Sequence, residues 1–345
     1  MLKKVIPITL AGMLIIFVLI TSCKKESEIS ETDSLKIKEP ISVDTIKQLD
    51  LVIKPALGQQ FRYKMSEKRS IEQKSPNAKP NYLKAENILT YYYTHDVFQI
   101  EDDGTINYKM KFDSINIISS KTIGETTLSE TYNSNVKDSV YEKLDYIQYN
   151  AIVGQDFKVR VTNKGDVKDI YAIEKIHNNL KNRVDNLNPE DKKIIKEAPS
   201  EEEFKLVIKA AVQKQFQKFP ENIVKMDSLW ESSYDDVYEV FPVKNNISYK
   251  ILKLQNINGD LVVTLEGKLL IEFVKKEIKD KSARVKIEVN EAGGTSTIVF
   301  NLSKGTMNRK ETLIILDAKT RLSAGSQSQE LSEKENNTLT IELLQ

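Results

Sequence analysis

Four glycine-centred turns, each set between alternating apolar and polar runs, constrain this chain more than any other feature. Ile88 to Ile100 runs into Asp102-Asp103-Gly104-Thr105 and returns through Ile106, Tyr108, Met110 and Phe112. Phe157-Lys158-Val159-Arg160-Val161 turns at Asn163-Lys164-Gly165-Asp166. Ile247 to Ile257 turns at Asn258-Gly259 into Leu261 to Phe273, and Thr297 to Leu302 turns at Lys304-Gly305 into Thr306 to Leu316. Period-two alternation gives a strand one face for a core and one for water. Tight turns between such strands need positive φ, which glycine adopts without steric cost. Hairpins in series place their strands antiparallel, because a tight turn leaves no room for a crossover. The fold class expected is α+β and mainly β: a duplicated antiparallel β-sheet body, a curved sheet or an open barrel, with a helical insert between the halves.

The duplication is suggested by order. Gly58 to Tyr63, a further strand and the Gly104 hairpin look like Met226 to Glu231, a further strand and the Gly259 hairpin. Phe61-Arg62-Tyr63-Lys64-Met65 alternates as a half-buried strand should, and Ser66 to Glu86, with Pro76 and Pro80, is expected to be a polar loop. Between the halves, Ile170, Ile173, Ile176, His177, Leu180, Val184 and Leu187 keep close to helical spacing. Ser200 with Glu203 forms a capping-box signature ahead of Phe204, Val207, Ile208, Ala211, Val212, Gln215, Phe216 and Phe219, and Pro220 is expected to end that helix. One apolar stripe on each helix implies packing against the sheet. Thr320 to Ser328 and Thr338 to Leu343 are expected to be the closing strands. The expected organisation is residues 1–22 signal peptide, 23–48 acylated cysteine and tether, 49–169 first β repeat, 170–220 helical insert and 221–345 second β repeat.

The N-terminus carries a second message. Lys3 and Lys4 precede an apolar run from Val5 to Ile20, and Leu19-Ile20-Thr21-Ser22-Cys23 leads into Lys24-Lys25-Glu26-Ser27-Glu28. A charged start, an apolar middle and small residues ahead of a cut make a secretory signal peptide. The segment resembles a bacterial lipoprotein signal, with Ile20 where the most typical form has leucine. That resemblance implies cleavage before Cys23, acylation (palmitate among the chains) of Cys23, and attachment to a membrane. The alternative, an uncleaved membrane helix, is short of the roughly 20 residues that span a bilayer. Lys24 is not the aspartate that retains some lipoproteins at the inner membrane, so an outer-membrane lipoprotein is expected.

Composition supports this placement. Cys23 is the only cysteine, so no intrachain disulfide can form, and acylation would remove the thiol. Without Lys3 and Lys4 the 51 basic residues become 49 against 50 acidic ones, and no concentrated basic block stands out for nucleic acid. Lys24 to Gln48 has few large apolar residues and reads as a solvated tether.

No motif with a catalytic mechanism is present. A Gly-x-Ser-x-Gly elbow, a phosphate loop and a dinucleotide fingerprint are all lacking, and no enzyme activity and no cofactor are expected. There are two histidines. His177 lies on an apolar stripe, and His95 has Asp96 beside it on the opposite strand face, so neither makes a local pair or a zinc motif. Glu101-Asp102-Asp103-Gly104 faintly resembles a calcium loop, yet Met110 stands where the bidentate glutamate is required, leaving a turn and no metal site. The residues singled out for ligand contact or packing are Trp230, the only tryptophan, with Tyr91 and Tyr93. Asp33-Ser34-Leu35, Asp44-Thr45-Ile46, Asp113-Ser114-Ile115, Asp138-Ser139-Val140 and Asp227-Ser228-Leu229 look like short protein O-glycosylation sites.

The lipobox, the Gly58 to Tyr63 opening, Val161 to Ile170, and Phe219-Pro220 followed by Met226-Asp227-Ser228-Leu229-Trp230 together resemble an uncharacterised family of Bacteroidota lipoproteins, a domain of unknown function. The likeness covers most of the mature chain and rests on turns and strand starts. It implies no catalytic residues. The function expected is a membrane-anchored envelope lipoprotein, first a non-catalytic binding module for an apolar or envelope-derived ligand, and alternatively a structural or protein-interaction lipoprotein without a ligand cavity. The partners expected are the membrane, through Cys23, and an apolar ligand or an envelope protein.

Overall fold

A computed structural model describes residues 46–76, 80–136, 144–195, 197–279, 283–324 and 327–344. The signal peptide, Cys23, most of the tether and the Ser34, Thr45 and Ser139 sites lie outside the described residues. In chain order the elements are β1 (Gln48–Leu49), β2 (Gln60–Lys74), β3 (Tyr82–Ile100), β4 (Ile106–Ile123), β5 (Thr126–Asn133), α1 (Ile147–Ile152), β6 (Asp156–Val161) and β7 (Val167–Tyr171). They continue with α2 (Glu174–Asp185), α3 (Glu201–Gln213), β8 (Val224–Lys225), β9 (Leu229–Tyr238), β10 (Phe241–Ile257) and β11 (Asp260–Phe273). The last are β12 (Glu277–Lys279), β13 (Arg284–Asn301), β14 (Thr306–Ala324) and β15 (Gln327–Leu344).

Thirteen strands form one sheet in the order β7-β6-β4-β3-β2-β15-β14-β13-β11-β10-β9, with β5 beside β4 and β12 beside β13. Every ladder in it is antiparallel, and the four expected hairpins turn at Gly104, Gly165, Gly259 and Gly305, all at positive φ. The first and last long strands, β2 and β15, lie side by side in the middle, so the two edges are the strands that flank the helices in sequence. The chain leaves at the β7 edge and returns at the β9 edge, which requires the sheet to curl toward the helices. Its edges do not join.

How far it curls follows from two backbone hydrogen bonds. The Ile53 N–H donates to the Asn163 carbonyl at 2.8 Å, and the next N–H, of Lys54, donates to the Gly305 carbonyl at 3.2 Å. Those carbonyls sit at the β6–β7 and β13–β14 turns, five strand spacings apart from β6 to β14, or about 24 Å in a flat sheet. Consecutive residues reach both only because the turns are gathered inward. The concave face between them is the core, where Phe61, Tyr63, Met65, Tyr91, Tyr93, Met110 and Phe112 are buried while their sequence neighbours face outward. Leu49, Leu51 and Ile53 fill the mouth, and β1 pairs with β8 there.

Several sequence expectations are corrected. Ser66 to Glu86 is not a loop: β2 extends to Lys74 and β3 starts at Tyr82, because β15 and β3 pair with β2 along that stretch. Ile170 belongs to β7, the return arm of the Gly165 hairpin, and the helix begins at Glu174 after Ala172 takes φ 57°. The capping box forms as expected, with the Glu203 N–H donating to Ser200 Oγ and the Ser200 N–H to Glu203 Oε2. However, α3 stops at Gln213, and Phe216 and Phe219 follow in a non-helical segment that enters the concavity, where the Phe219 N–H donates to the Lys164 carbonyl at 2.8 Å. Helix α1 was not expected; it fills the gap where β4 changes partner from β6 to β5. Thr320 to Ser328 is not one closing strand: β14 runs on to Ala324, and β15, which contains Thr338 to Leu343, starts at Gln327, so that Ser323 pairs with Ser328 across a hairpin.

Gly165 needs glycine for two reasons. Its φ is +85°, and a Cβ there would stand 1.9 Å from the Gln217 carbonyl oxygen. Gly259 has φ +90° but open space around it. Gly259→Ala is therefore expected to cost about 1–2 kcal/mol, the left-handed penalty alone, and Gly165→Ala distinctly more, since the backbone of 214–219 must move. Urea unfolding of the two variants checks this, and equal midpoints would contradict the close approach.

Candidate functional site

Where segment 214–219 meets the concave face, aromatic rings from β2, β3 and β4 form a continuous cluster. Tyr63 stacks on Tyr93 at 5.5 Å, Tyr93 contacts His95 at 5.0 Å, and His95 stacks on Phe216 at 5.3 Å with 18° between planes. Tyr108 closes the group, 5.5 Å from both His95 and Phe216. His95 is 3% exposed and its Nε2 lies 3.2 Å from Gln215 Oε1. Burial pushes the imidazole down from 6.5 to about 4, a shift that the Gln215 bond only partly opposes, so the ring is neutral at physiological pH. Beside it lies a cavity of about 30 Å³, lined by Tyr63, His95, Tyr108, Gln215, Phe216 and Met307 among others. Gln215 Nε2 has no partner, while the Tyr63 hydroxyl donates to the Met307 carbonyl at 3.3 Å. This volume is about that of one water molecule. A lipid tail does not fit.

A charged layer crosses the concave face beside the rings. Lys214 Nζ is 2.6 Å from Glu67 Oε1, and Lys310 Nζ donates to the Lys214 carbonyl at 3.3 Å. Burial, and then the charge of Lys214, push the Lys310 amine down to about 8. Lys164, 8% exposed, holds Asp50 at 2.7 Å and the Leu51 carbonyl at 3.2 Å, which fixes the start of the strap over the mouth. Sequence reasoning missed all three lysines. A signal existed for Lys310, because it shares period-two parity with Thr312, Ile314 and Leu316, which line the same face.

The residues singled out from sequence are not brought together. Tyr93 is fully buried and Tyr91 nearly so, each against Phe112, as packing residues of the β3 core face. Trp230 stacks on Tyr249 at 5.7 Å at the start of β9. His177 stands apart, its Nε2 2.8 Å from the Pro199 carbonyl and its ring 6.1 Å from Phe204. Asp96 faces away from His95 and receives a bond from Gln60. Glu101 to Thr105 is a turn in which Asp103 accepts from the Thr105 N–H at 2.8 Å, and Glu101 holds Arg160 at 2.7 Å. Among the described residues no group of three or more His, Cys, Asp or Glu is arranged to hold a metal. Ser114 is 8% exposed within β4 and closed to a glycosyl donor, whereas Ser228 bonds the Lys225 carbonyl in an exposed turn.

The geometry defines a class: a curled, open antiparallel β-sheet whose concave face is filled by its own helices and N-terminal strap. A model for a family of unknown function, DUF6263, matches residues 103–307, from the Gly104 turn to the start of β14. The chain belongs to that family. No curated protein matches it. Among solved structures it is similar to a lipovitellin described for its lipid–protein interactions, at 9% identity and TM-score 0.43, covering 85% of this chain and 26% of that one. It is also similar to an outer membrane channel from Pseudomonas putida F1, at 9% identity and TM-score 0.21, covering 86% and 98%. The chain thus spans about a quarter of the lipovitellin.

The buried imidazole makes a pH prediction. The unfolded chain binds a proton at His95 near pH 6.5 and the folded chain only near 4, so stability conferred by the neutral ring is whole above 6.5 and declines as pH falls toward 4. The loss at full extent is about 3 kcal/mol. His95→Phe is expected to flatten the denaturation midpoint between pH 7 and 4.5 relative to wild type; parallel profiles would show that another group dominates acid sensitivity.

Proposed function

We propose that this protein is an envelope lipoprotein, tethered through acyl chains on Cys23 to the outer membrane, whose β body acts by contact with another envelope protein rather than by enclosing a ligand. The observation that carries this is the filled interior: between sheet and helical segment there is room of about 30 Å³, against the 300 Å³ or more of a small-molecule pocket. A binding module for an apolar ligand, the first expectation from sequence, needs an open apolar cleft at that place.

The two edges of the sheet point the same way. Helix α3 covers β7: Gln213 Oε1 accepts from the Val167 N–H, Gln213 Nε2 donates to the Gly165 carbonyl, and Lys209 reaches the Lys168 carbonyl. Strand β9 pairs only with β10, and Leu229 and Val237 are 68% and 53% exposed along it. An uncovered strand edge is a template for a strand from another chain. Its acidic residues Glu231, Asp235 and Asp236 disfavour self-pairing and favour a basic partner segment.

Duplication belongs to the same proposal. β2-β3-β4-β6-β7 and β9-β10-β11-β13-β14 are both five-strand meanders with glycine turns after their second and fourth strands, and β1 and β8, which precede them, pair with each other. That correspondence supports an origin in two β repeats.

Three measurements test the reading. Cys23→Ala should lose its acyl label and leave the membrane fraction, and a variant that stays bound would refute the anchor. Photocrosslinking from Ser233 on β9 in the native host should capture one envelope protein, while native mass spectrometry of the gently purified protein finds no retained small molecule. A stoichiometric apolar molecule would instead restore the binding module.

A further inference from the structure

Away from the helices, the far end of the sheet is held shut by a contact between strands that are not neighbours. β9 lies five strand spacings from β15, yet the Tyr238 hydroxyl donates to Glu333 Oε1, and Gln73 Nε2 donates to Glu333 Oε2 at 2.5 Å. One residue pair along, Arg69 holds Glu335 Oε2 at 3.1 Å. Beneath this contact is a second apolar cluster, separate from the main core. Phe241, Ile287, Leu316 and Ala318 are at most 5% exposed there, and Tyr238 and Phe273 pack over them edge to face at 5.8 Å. The cover is therefore the β9–β10 tip, a two-residue turn of Glu239 and Val240.

The tip is poorly made for permanence. Glu239 takes φ +53°, a conformation that favours glycine and that a glutamate holds only where its surroundings enforce it. Its neighbours across the contact are also carboxylates. The charged groups facing Glu239 are Glu333 and Glu335 on β15 and Arg69 on β2, with Tyr238 adjacent on its own strand. Ionised together, Glu333, Glu335 and the exposed Glu239 lie in one field with a single guanidinium, which is bonded to Glu335 alone, and Glu333 and Glu335 are 7% and 3% exposed. Glu335 Oε1 and Arg69 Nε have no partner in the closed arrangement. Such a cluster closes more easily with a proton bound.

We propose that the β9–β10 tip is a proton-operated clasp, closed in mild acid and released above neutral pH, whose release uncovers the second apolar cluster. The clasp stands on this geometry and not on the envelope reading. Glu239 keeps an exposed outer surface, and partial loss of solvent, then the charges of Glu333 and Glu335, push it up from 4.5 to about 7, with Arg69 opposing; Glu335, which is buried, is raised as well. A carboxyl whose value is raised by closure stabilises the closed form fully below its ordinary value and loses that contribution as pH rises through the raised one. The window runs from about 4.5 to about 7.

Hydrogen exchange of the full chain at pH 5.5 and 8.5, corrected for intrinsic rates, tests it. Protection of residues 236–243 should fall at least tenfold at the higher pH, while residues 61–65 in the main core keep theirs. Glu239→Gln, neutral at both pH values, should keep the tip protected throughout, and Tyr238→Phe, which loses the bond to Glu333, should leave it open at both. Equal protection of wild type at the two pH values, or an undiminished pH response in Glu239→Gln, would overturn the proposal.

Discussion

The strap over the mouth of the sheet is the interaction on which the rest depends. Ile53 and Lys54 join the β6–β7 turn to the β13–β14 turn, and Phe219 fastens to the same loop through the Lys164 carbonyl while its ring meets Phe300 at 4.8 Å. Each backbone bond contributes about 1 kcal/mol net. Burial of Leu49, Leu51 and Ile53 contributes roughly 1.5–3 kcal/mol apiece as an upper bound. Apolar burial therefore outweighs the hydrogen bonds, which act chiefly to fix register. A chain that fastens its N-terminal segment across a curled sheet needs no closing ladder between β7 and β9, and the open edges follow from that.

The strap also explains why glycine stands where it does. At Gly305 a Cβ would lie 2.4 Å from the Lys54 nitrogen, and at Gly165 it would strike the Gln217 carbonyl. Both turns are hairpins by local sequence and docking surfaces by tertiary contact. Their glycines serve both requirements at once, whereas Gly259 serves only the first.

What could be read from sequence divides along the same line. The hairpins, their antiparallel order and the Ser200 capping box depend on residues within a few positions of each other, and all were accessible. Contacts set by distant strands were not. Ser66 to Lys74 looked like a loop because its inward residues Glu67, Arg69 and Gln73 are polar, and their partners Lys214, Glu335 and Glu333 lie 147 to 266 positions away. Ile170 kept helical spacing with Ile173 and Ile176 by coincidence, since β6 claims it as a strand residue. Phe216 and Phe219 continue an apolar stripe beyond Gln213, yet they serve the concave face as a non-helical plug that begins in a turn. Nothing in a single sequence says that His95 meets Gln215, or that a half-buried lysine at position 310 is met by a carbonyl from the α3 exit.

Charges on the concave face give the two ends of one sheet opposite responses to protons. At the packed end, His95 is held neutral among Tyr63, Tyr93, Tyr108 and Phe216, so acid opposes that packing. At the far end, Glu239, Glu333 and Glu335 lie near one arginine that is bonded to Glu335 alone, so acid favours that closure. β3, which carries His95, and β15, which carries the two glutamates, both pair with β2 along its length. The long strands separate the two sites, however, and no charged group named at one faces the other. A fall in pH from neutral toward 5 therefore loosens the strapped end while tightening the clasped end, and the total stability changes less than either part. Protons therefore act on the two ends in opposite senses: the β9–β10 tip opens as pH rises, whereas the packing around His95 weakens, and unfolding of the body becomes easier, as pH falls.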